Sequence, residues 1–260
     1  MDHALLTLSK APASERRHGL KAEFEAEGAR FDDLVAYSNI AHSTRTPLAI
    51  KIGGCEAVSD LFNARLLGAA KIVAPMVESP FALRKFVAAV VHVYGEDRTV
   101  WPDLYINIET QRSAHESDVI LAAARDVGIG GVVVGRGDLA ESMGLTRTAI
   151  DSAPVTDLVR SVLTQARVLG LGCGMGGGVS TKTVPTVLSL VDDGILDFFE
   201  TRKVLISAAD APSEAELRSA ILVALKFELR WLEYKRDLYT QIVSEDDARI
   251  ERLGAELERG

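Results

Sequence analysis

Short apolar runs, each closing on a polar residue or a glycine, alternate along the chain with longer stretches whose apolar residues recur every three or four positions. The runs lie at 20–27 (LKAEFEAE), 48–52 (LAIKI), 71–77 (KIVAPMV), 104–109 (LYINIE), 131–135 (GVVVG), 169–174 (LGLGCG) and 196–201 (LDFFET). Their shortness, their polar or glycine ends and their alternation with longer stretches predict strands. The stretches between them, at roughly 31–43, 56–67, 80–94, 114–127, 152–168 and 181–193, have the spacing of amphipathic helices. Regular strand–helix alternation predicts a parallel sheet with right-handed crossovers, either open or closed into a barrel.

The faces of the strands separate those two outcomes. In LKAEFEAE, Leu20, Ala22, Phe24 and Ala26 share one side, and Lys21, Glu23, Glu25 and Glu27 the other. In YINIE, Ile106 and Ile108 oppose Tyr105, Asn107 and Glu109. A parallel strand between two helix layers is apolar on both sides, whereas a barrel lets one polar side face a functional mouth. The expectation is a (β/α)8-type barrel over residues 1–212. Only seven strands are legible, so either the N-terminal segment forms the eighth or the barrel is modified at the first strand. After Pro212, Ser213-Glu214-Ala215-Glu216 has the form of a capping box. It predicts a helix to about 242, and Ser244-Glu245-Asp246-Asp247 predicts the start of a second. This extension, 213–260, carries Phe227, Trp231, Tyr234, Leu238 and Tyr239. So much apolar surface beyond a barrel predicts packing on the barrel or on a neighbouring subunit, and a homo-oligomer.

Composition narrows the class. The 260 residues are 47% hydrophobic and 25% charged, ordinary for a globular chain. A net charge of −8 argues against nucleic acid as partner, which needs clustered Lys and Arg. No apolar run reaches the length of a membrane span. Two distant cysteines, Cys55 and Cys173, and an N-terminus without a basic start and long apolar stretch lead to the expectation of a cytoplasmic protein.

Two carboxylates are placed for chemistry. Glu109 ends YINIE, and Asp138 follows the next strand in GRGDLAESMG, so neighbouring strand ends bring both to the C-terminal mouth where barrel sites lie. Two carboxylates with waters and substrate oxygens suit Mg²⁺ or Mn²⁺. The plainer alternative is that Asp138 caps a helix and Glu109 pairs with a lysine. Glu56, Glu78, Asn107, Glu200, Arg202 and Lys203 add further charge and polarity at strand ends. The five histidines show no ligand spacing. A competing motif, Gly172-Cys173-Gly174-Met175-Gly176-Gly177, fits GxGxxG with Glu200 about twenty residues on, the layout of a dinucleotide site. Only one strand is legible after it, fewer than a dinucleotide fold needs.

PLAIKIGGCEA, KIVAPMVESPFAL, LYINIET and GGVVVGRGDLAESMGL, in that order, resemble the HpcH/HpaI-type 2-oxo-acid aldolase and citrate lyase β-subunit superfamily of phosphoenolpyruvate/pyruvate-binding TIM barrels. The likeness covers about residues 20–205. It implies that Glu109 and Asp138 are metal ligands, and that the backbone of Gly135-Arg136-Gly137 faces the carboxylate or enolate oxygen of a 2-oxo acid. Arg136, Gly137 and Asn107 thus join the expected substrate-binding residues. Two positions depart from the family. Lys51 stands where the aldolases have an arginine, supplying charge but no planar fork. EFEAEG stands where they have a histidine base, which leaves Glu25 or Glu27 as the expected base. Together these imply a metal-dependent carbon–carbon lyase, aldolase or synthase, taking a 2-oxo acid and an aldehyde or acyl acceptor. The alternatives are a Schiff-base aldolase using Lys51, or a binding protein that keeps the barrel without the chemistry.

Overall fold

Period-two alternation sorts the residues of each run to the two sides of a closed barrel. The computed structural model describes residues 19–25, 27–210 and 213–259. Its eight strands close in chain order: β1 (Gly19–Glu23), β2 (Leu48–Lys51), β3 (Lys71–Ala74), β4 (Asp103–Ile108), β5 (Gly131–Gly135), β6 (Gly172–Gly176), β7 (Phe198–Glu200) and β8 (Val204–Ser207). Leu20, Ile50, Ile72, Ile106, Val132 and Phe199 turn outward into one continuous core beneath the helices. The helices are α1 (Phe31–Ser43), α2 (Val58–Leu66), α3 (Pro80–Tyr94), α4 (Gln111–His115), α5 (Ser117–Asp126), α6 (Arg136–Ser142), α7 (Ala153–Val168), α8 (Val184–Asp192) and α9 (Glu214–Leu257). Ala49, Val133, Phe198 and Leu205 turn inward and fill the barrel with Tyr105. No helix among the described residues is long and apolar enough to cross a membrane.

The closure differs from the expected one at the last strand. β1 to β7 pair in parallel, each with the next. β8, which was not legible as a strand, runs antiparallel to both β7 and β1. Only residues 201–203 join β7 to β8, whereas a parallel return needs a crossover of a dozen residues or more. The Thr201 amide donates to the Val204 carbonyl at 2.9 Å and closes this hairpin. The barrel is therefore modified at its last strand, not its first. β1 itself ends at Glu23, four residues before the expected boundary, and the expectation for an N-terminal strand in residues 1–18 lies outside the described residues.

The glycines of the dinucleotide-like motif have another use. Gly172 and Gly174 lie within β6, not in a loop after it. A Cβ on Gly172 would stand 2.3 Å from the Tyr105 hydroxyl, and one on Gly174 2.4 Å from the Phe198 ring. The bare strand is what lets two aromatic rings share the barrel interior, where they meet edge to face at 5.7 Å. These glycines pack the barrel interior and do not form a phosphate-binding loop.

The C-terminal segment is one helix, not two. Ser213 and Glu216 form the expected capping box at its start. Nothing between Glu214 and Gly254 breaks it, and Ser244, expected to cap a second helix, instead donates to the Thr240 carbonyl one turn back at 2.9 Å. Leu217, Ile221, Ala224, Phe227 and Trp231 are buried. Phe227 and Trp231 pack edge-on against Tyr37 of α1, whose hydroxyl donates to the Lys203 carbonyl at 2.8 Å.

Candidate active site

The inward positions at the C-terminal ends of the strands are polar, and together they line a cavity of about 390 Å³. Glu109 sits at its wall, one residue beyond β4, in step with Tyr105 and Asn107. It is 1% exposed, and three donors reach its carboxylate. Its Oε1 accepts from the Met76 amide at 2.9 Å, and its Oε2 from Asn107 Nδ2 at 2.8 Å and from Lys51 Nζ at 3.3 Å. Met76 reaches that position with φ of 50°, a left-handed conformation that a non-glycine residue adopts at some strain. Gly135 makes room, since a Cβ there would lie 2.7 Å from Glu109 Oε2.

Asp138 enters the same cavity from the first turn of α6. Burial pushes its carboxyl above the ordinary range, the nearby Glu109 adds to the rise, and Lys51 and Arg147 oppose it. Arg147 approaches Asp138 at 3.7 Å and also pairs with Glu141. Across the cavity, buried Lys21 bridges Glu23, at 2.7 Å, and Glu200. Burial opposes the charge on Lys21, but these two carboxylates outweigh it and raise its pKa. Burial likewise works against ionised Glu23, yet Lys21, with help from Lys51 and Arg202, holds its pKa below the usual range.

The expected site residues divide. Glu109, Asp138, Lys51, Asn107 and Gly137 are brought together around the cavity. Glu109 does pair with a lysine, so the plainer alternative for that residue is present alongside the functional one. Arg136 does not reach the cavity. Its side chain is wholly buried and donates to the Gly176 and Gly177 carbonyls, at 3.1 and 2.9 Å, and to Asp151. The side chain holds the glycine loop that forms one wall, whereas the role expected of Arg136 was its backbone's. Glu25 and Glu27 are also misplaced as bases. With β1 ended at Glu23, Glu25 lies in an exposed turn and Glu27 is buried in an ion pair with Lys203, away from the cavity. Glu23 takes the position expected of them.

Lys21 and Arg147 were missed as site residues. For Lys21 a signal exists, its place beside Glu23 on the polar side of the first strand, the side a barrel can turn to its mouth; for Arg147, after α6, the sequence carries none. Among the described residues no histidine lines the cavity. Burial lifts the Cys55 and Cys173 thiols to about 11, so neither is an activated nucleophile.

The donor set suits a hard divalent cation. Glu109 and Asp138 repel each other across the cavity, and Asn107 Oδ1 is buried without a hydrogen-bond partner. All three offer oxygen, the ligand type of Mg²⁺ and Mn²⁺. Among the described residues no cluster of three His, Cys, Asp or Glu side chains is poised as a full protein cage. Glu109 and Asp138 would hold the ion with oxygens from water or substrate.

The model of the HpcH/HpaI aldolase/citrate lyase family matches residues 29–174. Among solved structures, an HpcH/HpaI aldolase/citrate lyase family protein from Burkholderia cenocepacia J2315 is 18% identical, with 75% of this chain and 82% of that one covered and a TM-score of 0.59. An HpcH/HpaI aldolase from Desulfitobacterium hafniense DCB-2 is 16% identical over 68% and 74% of the two chains, with a TM-score of 0.56. The citrate synthase SbnG is 14% identical over 90% of each, with a TM-score of 0.57. No curated protein matches the chain significantly in sequence.

Proposed function

Since this chain belongs to the HpcH/HpaI aldolase/citrate lyase family, we propose that it makes or breaks a carbon–carbon bond through the enolate of pyruvate or a related 2-oxo acid. The observation that carries this reading is the convergence of Glu109 and Asp138 on one cavity at the C-terminal strand ends. When bound there, Mg²⁺ or Mn²⁺ supplies the positive charge that stabilises a developing enolate oxygen. The chain's own residues do the rest. Asn107 Nδ2 and the Met76 amide orient the Glu109 carboxylate. Lys51 Nζ, beside Glu109, holds the substrate carboxylate. Glu23 exchanges the proton at the substrate's methyl carbon through Oε2, because Lys21 occupies Oε1. Arg147 and Arg202, at the exposed rim, face the entering acceptor, an aldehyde or acyl compound. The pairing of Lys51 with Glu109 supports an ionic role for it over a Schiff base. Two free cysteines accord with a reducing, cytoplasmic location.

Exchange of pyruvate's methyl protons in D₂O tests the reading without knowledge of the acceptor. Exchange should proceed with the protein and Mg²⁺ or Mn²⁺ and stop in excess chelator. Glu109→Gln and Asp138→Asn should each slow it by about two orders of magnitude while the melting curve stays cooperative. Undiminished exchange in chelator would falsify the metal assignment, and no exchange with any divalent ion would remove the enolate.

A further inference from the structure

The last buried residue of α9 is Trp231, and the 26 residues from Leu232 to Leu257 run on for about 39 Å at 1.5 Å per residue with none of them buried. Among the described residues, their one side-chain hydrogen bond to the chain outside α9 is from the Tyr239 hydroxyl to Asp33. A helix left on its own in water is marginal, and most helices in proteins are stabilised by packing one face. The face available here has a definite period. From Leu225, steps of four and three residues alternate without a break to Leu257, and these ten positions hold eight apolar residues and two charged ones, Arg236 and Asp246. That is the a/d seam of a coiled coil. Most of its apolar side chains are exposed, Leu229 at 55%, Ile250 at 65% and Leu257 at 83%.

We infer that this seam pairs with the same seam of a second copy of the chain, as an antiparallel two-stranded coiled coil. The two charged positions select the occupant and the direction. Arg236 and Asp246 are each five residues from Gln241, on opposite sides. A two-fold axis at that level puts Arg236 of one copy in the layer of Asp246 of the other, twice. The same register sets Leu225 opposite Leu257, Leu229 opposite Leu253, Leu232 opposite Ile250 and Tyr239 opposite Val243, so every apolar position meets an apolar one. Each layer then joins an a position of one copy to a d position of the other, the layering of an antiparallel pair, and the two-fold repeats every contact reciprocally. A parallel pair would instead stack Arg236 on Arg236 and Asp246 on Asp246. Flanking residues oppose the antiparallel pairing, with Lys235 near Arg249 and Glu233 near Asp247 of the other copy. These lie at the solvent edge, where salt screens them, so association should strengthen as salt is raised.

Sedimentation of the full chain at low micromolar concentration should show a dimer. Arg236→Asp alone and Asp246→Arg alone each place like charges in two layers, and each should weaken the dimer about tenfold or more. The double exchange should restore it. Leu232→Glu with Ile250→Glu should give a monomer whose barrel melts as the parent's does. A parent chain that stays monomeric, a dimer indifferent to these seam substitutions, or single exchanges that the double fails to rescue would each overturn the inference.

Discussion

Lys51 shows how a residue's role depends on what shares its space. In the strand LAIKI it is a lone cation at a strand end, open to reading as an anion anchor or as a nucleophile. In the barrel its ammonium stands 3.3 Å from Glu109 and acts on both Asp138 and Glu23. Its ammonium is engaged in an ion pair with Glu109, the arrangement of an anion anchor and not of a free amine nucleophile. Borohydride added with pyruvate should therefore leave the protein's mass unchanged, and Lys51→Arg should retain more activity than Lys51→Met; a trapped pyruvyl adduct on Lys51 would replace the ionic mechanism with a covalent one. Glu25 and Glu27 show the opposite error. Alternation puts them on the same side as Glu23 only while the strand lasts, and once the chain turns after Glu23 the period-two rule no longer assigns a side.

Among the elements, β6 is the one whose sequence misleads most. Its glycines read as a phosphate loop, yet their physical effect is to remove side chains facing Tyr105, Phe198 and Glu200. Alanine is ordinarily the better residue in a strand, because glycine loses more backbone entropy on folding. At Gly174 the sign should reverse, since the added methyl would press on the buried Phe198 ring. Gly174→Ala should destabilise by about 1–3 kcal/mol, the usual range for an overpacked core, read from the urea midpoint at unchanged slope. A neutral or stabilising outcome would mean that the ring moves freely and that β6 is not shaped by it. Elsewhere the period holds well. α1, α3 and α7 fall at or within a residue of their expected bounds, because their apolar stripes must face the outward residues of the neighbouring strands.

At the scale of the whole molecule, charge sets the acid limit of stability. Among the described residues, the cavity walls carry four carboxylates, Glu23, Glu109, Asp138 and Glu200, against four cations, Lys21, Lys51, Arg147 and Arg202. Glu23, lowered in the fold, contributes stability that is present above the unfolded carboxylate pKa of about 4.3 and is lost as pH falls through its lower folded value. Asp138, raised in the fold, has the opposite sign, with its contribution declining as pH rises through its folded value. Glu23→Gln should lower the denaturant midpoint at pH 7 and leave it nearly unchanged at the acid end, flattening the acid limb. An equal loss at every pH would assign Glu23 a packing role instead of an ionic one.

Seven of the eight strands, six helices, the capping box at Ser213 and the pair Glu109 and Asp138 could be read from the order of residues alone. Each depends on local periodicity, or on the rule that successive parallel strands present their ends on one side. The heptad seam of α9 is equally local, although it becomes conspicuous only once the barrel is seen to cover the other face. Tertiary structure alone decided the rest. β8 is four residues long and takes its direction from the shortness of the turn before it. Arg136 sits beside two expected site residues in sequence, but its side chain is drawn beneath the glycine loop by carbonyls some forty residues away. Lys21, Glu23 and Glu200 form one network only because closure of the barrel brings the first strand and the seventh to opposite sides of β8. Contacts between distant segments depend on the path of the whole chain, and no window along the sequence contains them.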